Sequence, residues 1–361
     1  MKRWPDRRIL DLFGIDLPII QAPMAGATTV DMVVAAAEAG GLGSLPSAQL
    51  SVAGLREALG EVRALTKAPI NVNFFSHVSP PADPAAQMRW RALLAPYYVE
   101  SDLNPAESVA GAGRAPFDAL FCEVVEEFRP EVVSFHFGLP ETTLVQRVKA
   151  TGAKIVSSAT TVAEAVWLEA NGVDAVIAMG IEAGGHRGNF LTHDMATQVG
   201  TMALVPQVVD AVSIPVIAAG GIADGRGVAA ALMLGAAAVQ VGTAYLFCPE
   251  ARIPAVHADA LASAGDDSTA ITNVFTGRPA RGVVNRLMRE LGPLSDTVPA
   301  FPTAGGVLAP IRAKAEAASR NDFTNLWAGQ AARLASRVGA AELTRNLYQA
   351  ALDVLDSRKP V

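Results

Sequence analysis

The chain has 361 residues, a formal net charge of -6, 51% hydrophobic and 18% charged residues, and two cysteines. Apart from the opening "MKRWPDRR" it has no basic run, which leaves no electrostatic footprint for nucleic acid or an anionic membrane. Cys122 and Cys248 lie far apart without ligand spacing, so neither a disulfide framework nor a structural zinc is indicated, and small-molecule chemistry in a reducing cytoplasm is expected.

At the start of the chain, Asp11, Gly14, Asp16 and Pro18 interrupt the apolar stretch and deny it the form of a secretory signal. Short runs rich in β-branched residues then recur, each followed by a segment of helical composition, the pattern of βα units and a parallel sheet. Strands are predicted at 18–25, 41–47, 69–75, 132–138, 154–160, 175–180, 214–221 and 237–243. Eight strands make a closed barrel, so the predicted fold is a TIM (β/α)8 barrel with a smaller, mainly helical cap. Between the helices, "EAGG" and "EANG" supply glycine stops, and Asp224 is placed to cap the alanine-rich "GRGVAAALMLG". The third unit breaks the rhythm with an excursion over 76–117, proline- and glycine-bounded, with a helix around Met88 to Tyr98.

Residues 228–247, "VAAALMLGAAAVQVGTAYLF", are uncharged and long enough to span a bilayer, but Gly235, Gln240 and Gly242 divide them into a helix end and a buried strand. Beyond Phe247 the barrel pattern is used up. "RIPAVHADALASAG" and "LAPIRAKAEAASR" have helical composition, while "FTGRPARGVVNRL" and "LGPLSDTVPAFPTAGG" read as irregular. The predicted organisation is a barrel over 1–250, a cap over 251–310, and C-terminal helices over 311–361 that return to the barrel.

Sites in such barrels lie at the C-terminal strand ends, with a phosphate commonly held after the last two strands. Gly220 and Gly221, Gly242 with Thr243, and Gly184 with Gly185 can present backbone N–H groups to an anion with no side chain in the way. His186 follows one of these pairs, in "IEAGGHRGNF", where it can exchange a proton with a ligand or balance its charge. Glu182 is expected to orient this loop and Arg187 to be solvated or salt-bridged. Asn73 has an amide suited to a heterocycle edge, or to shaping its own turn. His136 either points into the barrel mouth beside Ser134 or is a satisfied core histidine. Met24 reads as core filler, His77 and His193 as exposed loop residues and His257 as a cap residue. No cluster has metal-ligand spacing, and none is predicted to bind a metal.

Together, "QAPMAG", "INVNFF", "VSFHFGLP", "EAGGHRG", "IPVIAAGGIADGRG", "VQVGT", "FTGRPARGVVNR" and "LWAGQAARLA" resemble the nitronate monooxygenase family, formerly 2-nitropropane dioxygenases, in that family's order and over nearly the whole chain. The resemblance implies an FMN-dependent monooxygenase oxidising alkyl nitronates with O2. It places the FMN phosphate against Gly184, Gly185, Gly221, Gly242 and Thr243, with Gly220 beside them. The flavin ring would lie against Pro23, Met24, Ala25 and Asn73, with Gln240 lining its site, and His186 would be catalytic. Met179 departs from the pattern, since many members have a glutamine there that contacts FMN and methionine cannot donate that hydrogen bond. A related FMN reductase using NAD(P)H on a quinone or enoyl thioester, and a non-redox phosphate-ligand barrel, stay open beside it. The partners expected are a small nitronate or nitroalkane and O2, with no nucleic acid or membrane, in a monomer or homodimer.

Overall fold

The computed structural model describes residues 4, 6–106 and 114–357; residues 107–113 of the expected excursion and 358–361 of the expected C-terminal segment lie outside them. Six parallel strands come first: β1 (Ile19–Gln21), β2 (Gly43–Pro46), β3 (Ile70–Phe75), β4 (Val132–His136), β5 (Lys154–Ala159) and β6 (Ala175–Met179). After a short β7 (Gly185–His186) the set is completed by β8 (Val216–Ala219) and β9 (Ala238–Val241). They are ordered β1-β9-β8-β6-β5-β4-β3-β2, and the ring is drawn shut where Leu42, just before β2, exchanges hydrogen bonds with Ile19 and Gln21 at 2.9 and 3.0 Å. The fold is a TIM barrel.

These are the eight strands predicted, trimmed mostly at their C-terminal ends. The reason is local: Phe137, Gly138, Gly220 and Gly221 take left-handed backbone (φ 75, 87, 109 and 70°) and turn the chain out of the ladder. The strands carry apolar side chains on both faces because helices cover the outside, and Val72, Val133, Ile155, Ile177 and Ile217 are almost wholly buried. Helix Gly225–Met233 is capped as expected, with Asp224 accepting from the amides of Arg226 and Gly227 at 2.9 and 3.3 Å. The uncharged 228–247 stretch therefore splits into this helix and β9, and no helix among the described residues is long and apolar enough to cross a membrane.

A second core sits over the barrel mouth. Trp90, Leu94 and Tyr98, on helix Pro84–Glu100 of the excursion, pack with Phe275, Leu308 and Ile311, so the excursion and helix Gly305–Ala317 share one apolar cluster. Trp90 and Tyr98 satisfy their polar tips on the carbonyls of Ala304 and Val307. Part of "FTGRPARGVVNRL", expected to be irregular, is instead a strand. β10 (Thr269–Thr272) and β11 (Ala280–Val283) pair antiparallel, and β11 also pairs with β7, setting Ala280 opposite His186 and Arg281 opposite Gly185. Four residues containing Arg and Gly have no hydrophobic alternation to announce a strand, and the ladder comes from partners distant in sequence. The last helix, Ala340–Ser357, returns to the barrel, where Leu343, Leu347 and Ala351 join the main core.

Candidate active site

Between the strand ends and the cap lies a cavity of about 640 Å3, within the roughly 300–1,000 Å3 common for small-molecule sites. Its wall includes Pro23, Met24 and Ala25 after β1, Asn73 on β3, His136 on β4 and Met179 on β6. It also includes Gly184, Gly185 and His186, then Gly220 and Gly221 after β8, then Gln240, Gly242 and Thr243 at β9. The residues singled out in the sequence thus face one space.

One corner of that space is built of backbone. Among the described residues, the amides of Gly184, Gly221 and Gly242 are not spent on hydrogen bonds inside the protein. A Cβ on Gly184 would come within 2.5 Å of the Gly329 nitrogen, so only glycine lets the two segments meet. Gly329 N–H donates to Thr243 Oγ1 at 2.9 Å, and Gln330 N–H to the Glu182 carbonyl at 3.0 Å. The "LWAGQ" segment therefore closes the corner, a role the sequence reading did not assign. Unspent amides on three loops lining one cavity, with no side chains of their own, can take a phosphate-sized anion. Elsewhere on the wall, Gln240 has no side-chain partner among the described residues. Asn73 donates to Ser134 Oγ at 3.0 Å, which leaves its amide oxygen for a ligand.

The "IEAGGHRGNF" segment is held from both sides. Arg187 is fully buried rather than solvated or salt-bridged, correcting the expectation: its guanidinium donates to the carbonyls of Met179 and Gly180 at 2.8 Å each and to Gln198 Oε1 at 2.9 Å. Arg281, from β11, reaches the Ile181 carbonyl at 2.8 Å. Glu182 accepts from Thr201 N and Oγ1, which anchors the loop as expected.

His186 is thereby set among the rings of Phe75, Phe301 and Trp327, whose centroids lie 5.3–6.0 Å away, and its Nε2 is 3.0 Å from Thr276 Oγ1. Burial first, then Arg114, His136, Arg278 and His77, hold its pKa well below 6.5, so the imidazole is neutral near pH 7. His136 bridges Ser158 Oγ at 2.7 Å and the His186 carbonyl at 3.1 Å. Burial lowers its pKa to about 3. A neutral imidazole that donates to a carbonyl through Nε2 must accept at Nδ1, so His136 is both cavity-lining and internally satisfied. His77, expected to be an exposed loop residue, is buried against Phe75, Phe137 and Phe301, and neither ring nitrogen has a hydrogen-bond partner among the described residues. Burial lowers its pKa to about 4. His257 is also buried, its Nε2–H donating to the Trp327 carbonyl across 3.1 Å, and it too lines the cavity, while His193 is exposed as expected.

Cap residues that the sequence reading passed over complete the wall. Thr276, Trp327, Arg114 and Arg312 face the cavity, and Arg114 lies 5.8 Å from the Phe301 ring with no carboxylate partner among the described residues. Arg278 stacks 3.8 Å over Phe137 and donates to the Asn189 carbonyl. Single arginines and a threonine in irregular sequence carry no spacing signal; only the glycine-rich "FTGRPARG" hinted at a close approach of backbone.

A family model described as nitronate monooxygenase matches residues 6–350. The chain is 41% identical over 344 residues to a nitronate monooxygenase of Pseudomonas aeruginosa, covering 95% of this chain and 98% of that protein. Among solved structures, a nitroalkane oxidase from Streptomyces ansochromogenes superposes with a TM-score of 0.88 at 36% identity, covering 98% of this chain and all of that one. FabK from Thermotoga maritima superposes with a TM-score of 0.73 at 29% identity, covering 97% of each.

Proposed function

The chain belongs to the nitronate monooxygenase family, a family of oxidoreductases, and on that premise we propose that it is an FMN-dependent enzyme oxidising alkyl nitronates, propionate 3-nitronate among them, with dioxygen to carbonyl compounds and nitrite. The observation that carries the reading is a neutral histidine on the wall of the same cavity that ends in a side-chain-free corner of unspent amides. A phosphate fits that corner. In this reading Gly184, Gly185, Gly221, Gly242 and Thr243 hold the FMN phosphate, beside Gly220. Pro23, Met24, Ala25 and Asn73 meet the ring, and Gln240 offers it the unpartnered amide. Met179 contributes surface but no donor. Bound there, FMN would supply the redox chemistry that links nitronate oxidation to dioxygen.

The protein's own part is to bind, orient and move one proton. Arg114 and Arg312 on the cavity wall outnumber its Glu316, and Arg278 acts on His186 from beside it, which favours a nitronate anion over its neutral acid. With a neutral nitroalkane, His186 takes the proton from carbon, and the electron pair left behind forms the nitronate. Phe75, Phe301 and Trp327 keep bulk water from the imidazole. The likeness to FabK supports a second reading, an FMN reductase using NAD(P)H on a quinone or enoyl thioester. We place the protein in the cytoplasm, as a monomer or homodimer. The test is direct: the purified protein should be yellow, release FMN on denaturation and form nitrite from a nitronate with uptake of dioxygen. Colourless protein that FMN cannot reconstitute, or yellow protein that forms no nitrite, would contradict it.

A further inference from the structure

The contacts of His186 are one-sided. Nε2 lies 3.0 Å from Thr276 Oγ1, while Nδ1 has no partner among the described residues and, unlike both nitrogens of His77, is not sealed away. Since His186 lines the cavity, Nδ1 opens toward the ligand space. Thr276 itself is buried, and its hydroxyl has two further neighbours on Arg278, the carbonyl at 3.3 Å and the N–H, which donates to Oγ1 at 3.5 Å. The Arg278 carbonyl can only accept, so with the single hydroxyl proton spent on it and one lone pair taking the Arg278 N–H, the remaining lone pair on Oγ1 is left for His186. A lone pair facing Nε2 requires a proton on Nε2.

We propose that Thr276, on the cap, is a positioning residue that holds His186 as the Nε2–H tautomer and so presents the bare Nδ1 to substrate as the proton acceptor. The inference rests on the proposed reaction with neutral nitroalkanes. In that step the substrate C–H bond breaks, its electron pair enters the new C=N bond of the nitronate while the N=O π pair withdraws onto the nitro oxygen, and the proton lands on Nδ1. The resulting imidazolium keeps Nε2–H on Thr276 Oγ1, so no hydrogen bond in the Arg278 carbonyl, Thr276, His186 chain has to reverse. The other charged or titratable groups around the ring are Arg114, Arg278, His136 and His77. His136 is occupied with Ser158 and the His186 backbone carbonyl rather than with the ring, and the His77 ring has no hydrogen-bond partner among the described residues. Rings of Phe75, Phe137, Phe301 and Trp327 occupy other sides of the imidazole and offer no competing strong acceptor to Nε2–H.

Two measurements test this, one without any variant. Nitrogen-15 NMR of the histidine-labelled holoprotein at pH 7 should show His186, assigned by its loss in His186→Asn, with a protonated Nε2 and a bare Nδ1. A protonated Nδ1 would overturn the proposal. In kinetics, Thr276→Val should lower kcat/KM for a neutral nitroalkane by roughly 10- to 100-fold, the worth of one hydrogen bond to a buried partner. Turnover of the preformed nitronate should fall by less than that, and Thr276→Ser, which keeps the hydroxyl, should restore the parent's rate and pH profile. Equal losses on both substrates, or no loss on either, would sink the idea. Should the parent protein oxidise no nitronate, the proposed function fails, while the tautomer measurement still decides the role of Thr276.

Discussion

A histidine that is to take a proton near neutral pH must begin neutral, and His186 does so because burial and the nearby arginines penalise its charged form. The ring adds little to the packing of the barrel core, so His186→Asn should fold and keep FMN. It should lose activity on neutral nitroalkanes by about 10²–10⁴-fold, the range for a positioned general base, and lose less on preformed nitronate, which needs no deprotonation. Steady-state kinetics on the matched pair of substrates checks this; equal losses would assign His186 to binding the anion instead. The position of His186 was legible because three glycine-bearing loops follow neighbouring strands of the ring. Its company was not: Thr276, Phe301 and Trp327 come from the cap, tens of residues away, and none has a spacing that marks it. Arg187 and His77 were misjudged because a charged or polar residue in a loop is usually exposed. In this protein Arg187 is buried because otherwise orphaned carbonyls at the end of β6 need its donors.

Two element-level features make that site rigid. Arg187 joins β6 to the loop behind it, and Arg187→Met would strand three acceptors, the carbonyls of Met179 and Gly180 and the amide oxygen of Gln198. The expected cost is about 1–3 kcal/mol of unfolding free energy, because part of the lost bonding is offset by no longer burying a guanidinium. Denaturant titration at pH 7 would read it, and an unchanged midpoint would contradict the clamp. The glycine loops allow a cleaner test of the phosphate corner. Gly220 and Gly221 have positive φ, so any substitution there strains the backbone. Gly242 has φ -108°, and a Cβ on it would meet nothing in the protein closer than Ala22 Cβ at 3.6 Å. Gly242→Val should therefore fold with nearly the parent's stability yet be purified with little FMN; full occupancy would move the phosphate elsewhere. The barrel strands could be read one by one from their apolar runs, whereas β7 and β11 could not. β7 is a strand only by virtue of β11, which itself needs the distant β10 as well, and the β7–β11 pairing brings the catalytic candidate to the cap.

Across the whole molecule, the cluster of neutral histidines under the cap ties stability to pH. His77 titrates near 4 in the folded state and near 6.5 in the unfolded chain, so between those values the unfolded state binds more protons. The contribution is complete above about pH 6.5 and is lost as pH falls toward 4. His136, lowered to about 3, acts in the same direction. The melting temperature should accordingly fall between pH 6.5 and 4, and His77→Phe, which replaces an unbonded imidazole among phenylalanine rings, should flatten that fall without lowering stability at pH 7. A slope identical to the parent's would show that His77 is not the group responsible. The two-core architecture gives the cavity its chemistry: the barrel brings the side-chain-free corner, and the cap brings Thr276, Trp327 and the arginines that face it. The central claim is that this cavity passes electrons from a nitronate to dioxygen through bound FMN. Anaerobic mixing of the purified protein with a nitronate and, separately, with NADH, followed by flavin absorbance, tests it most directly. The nitronate should bleach the flavin and NADH should not; rapid bleaching by NADH with none by the nitronate would contradict the account and establish the reductase instead.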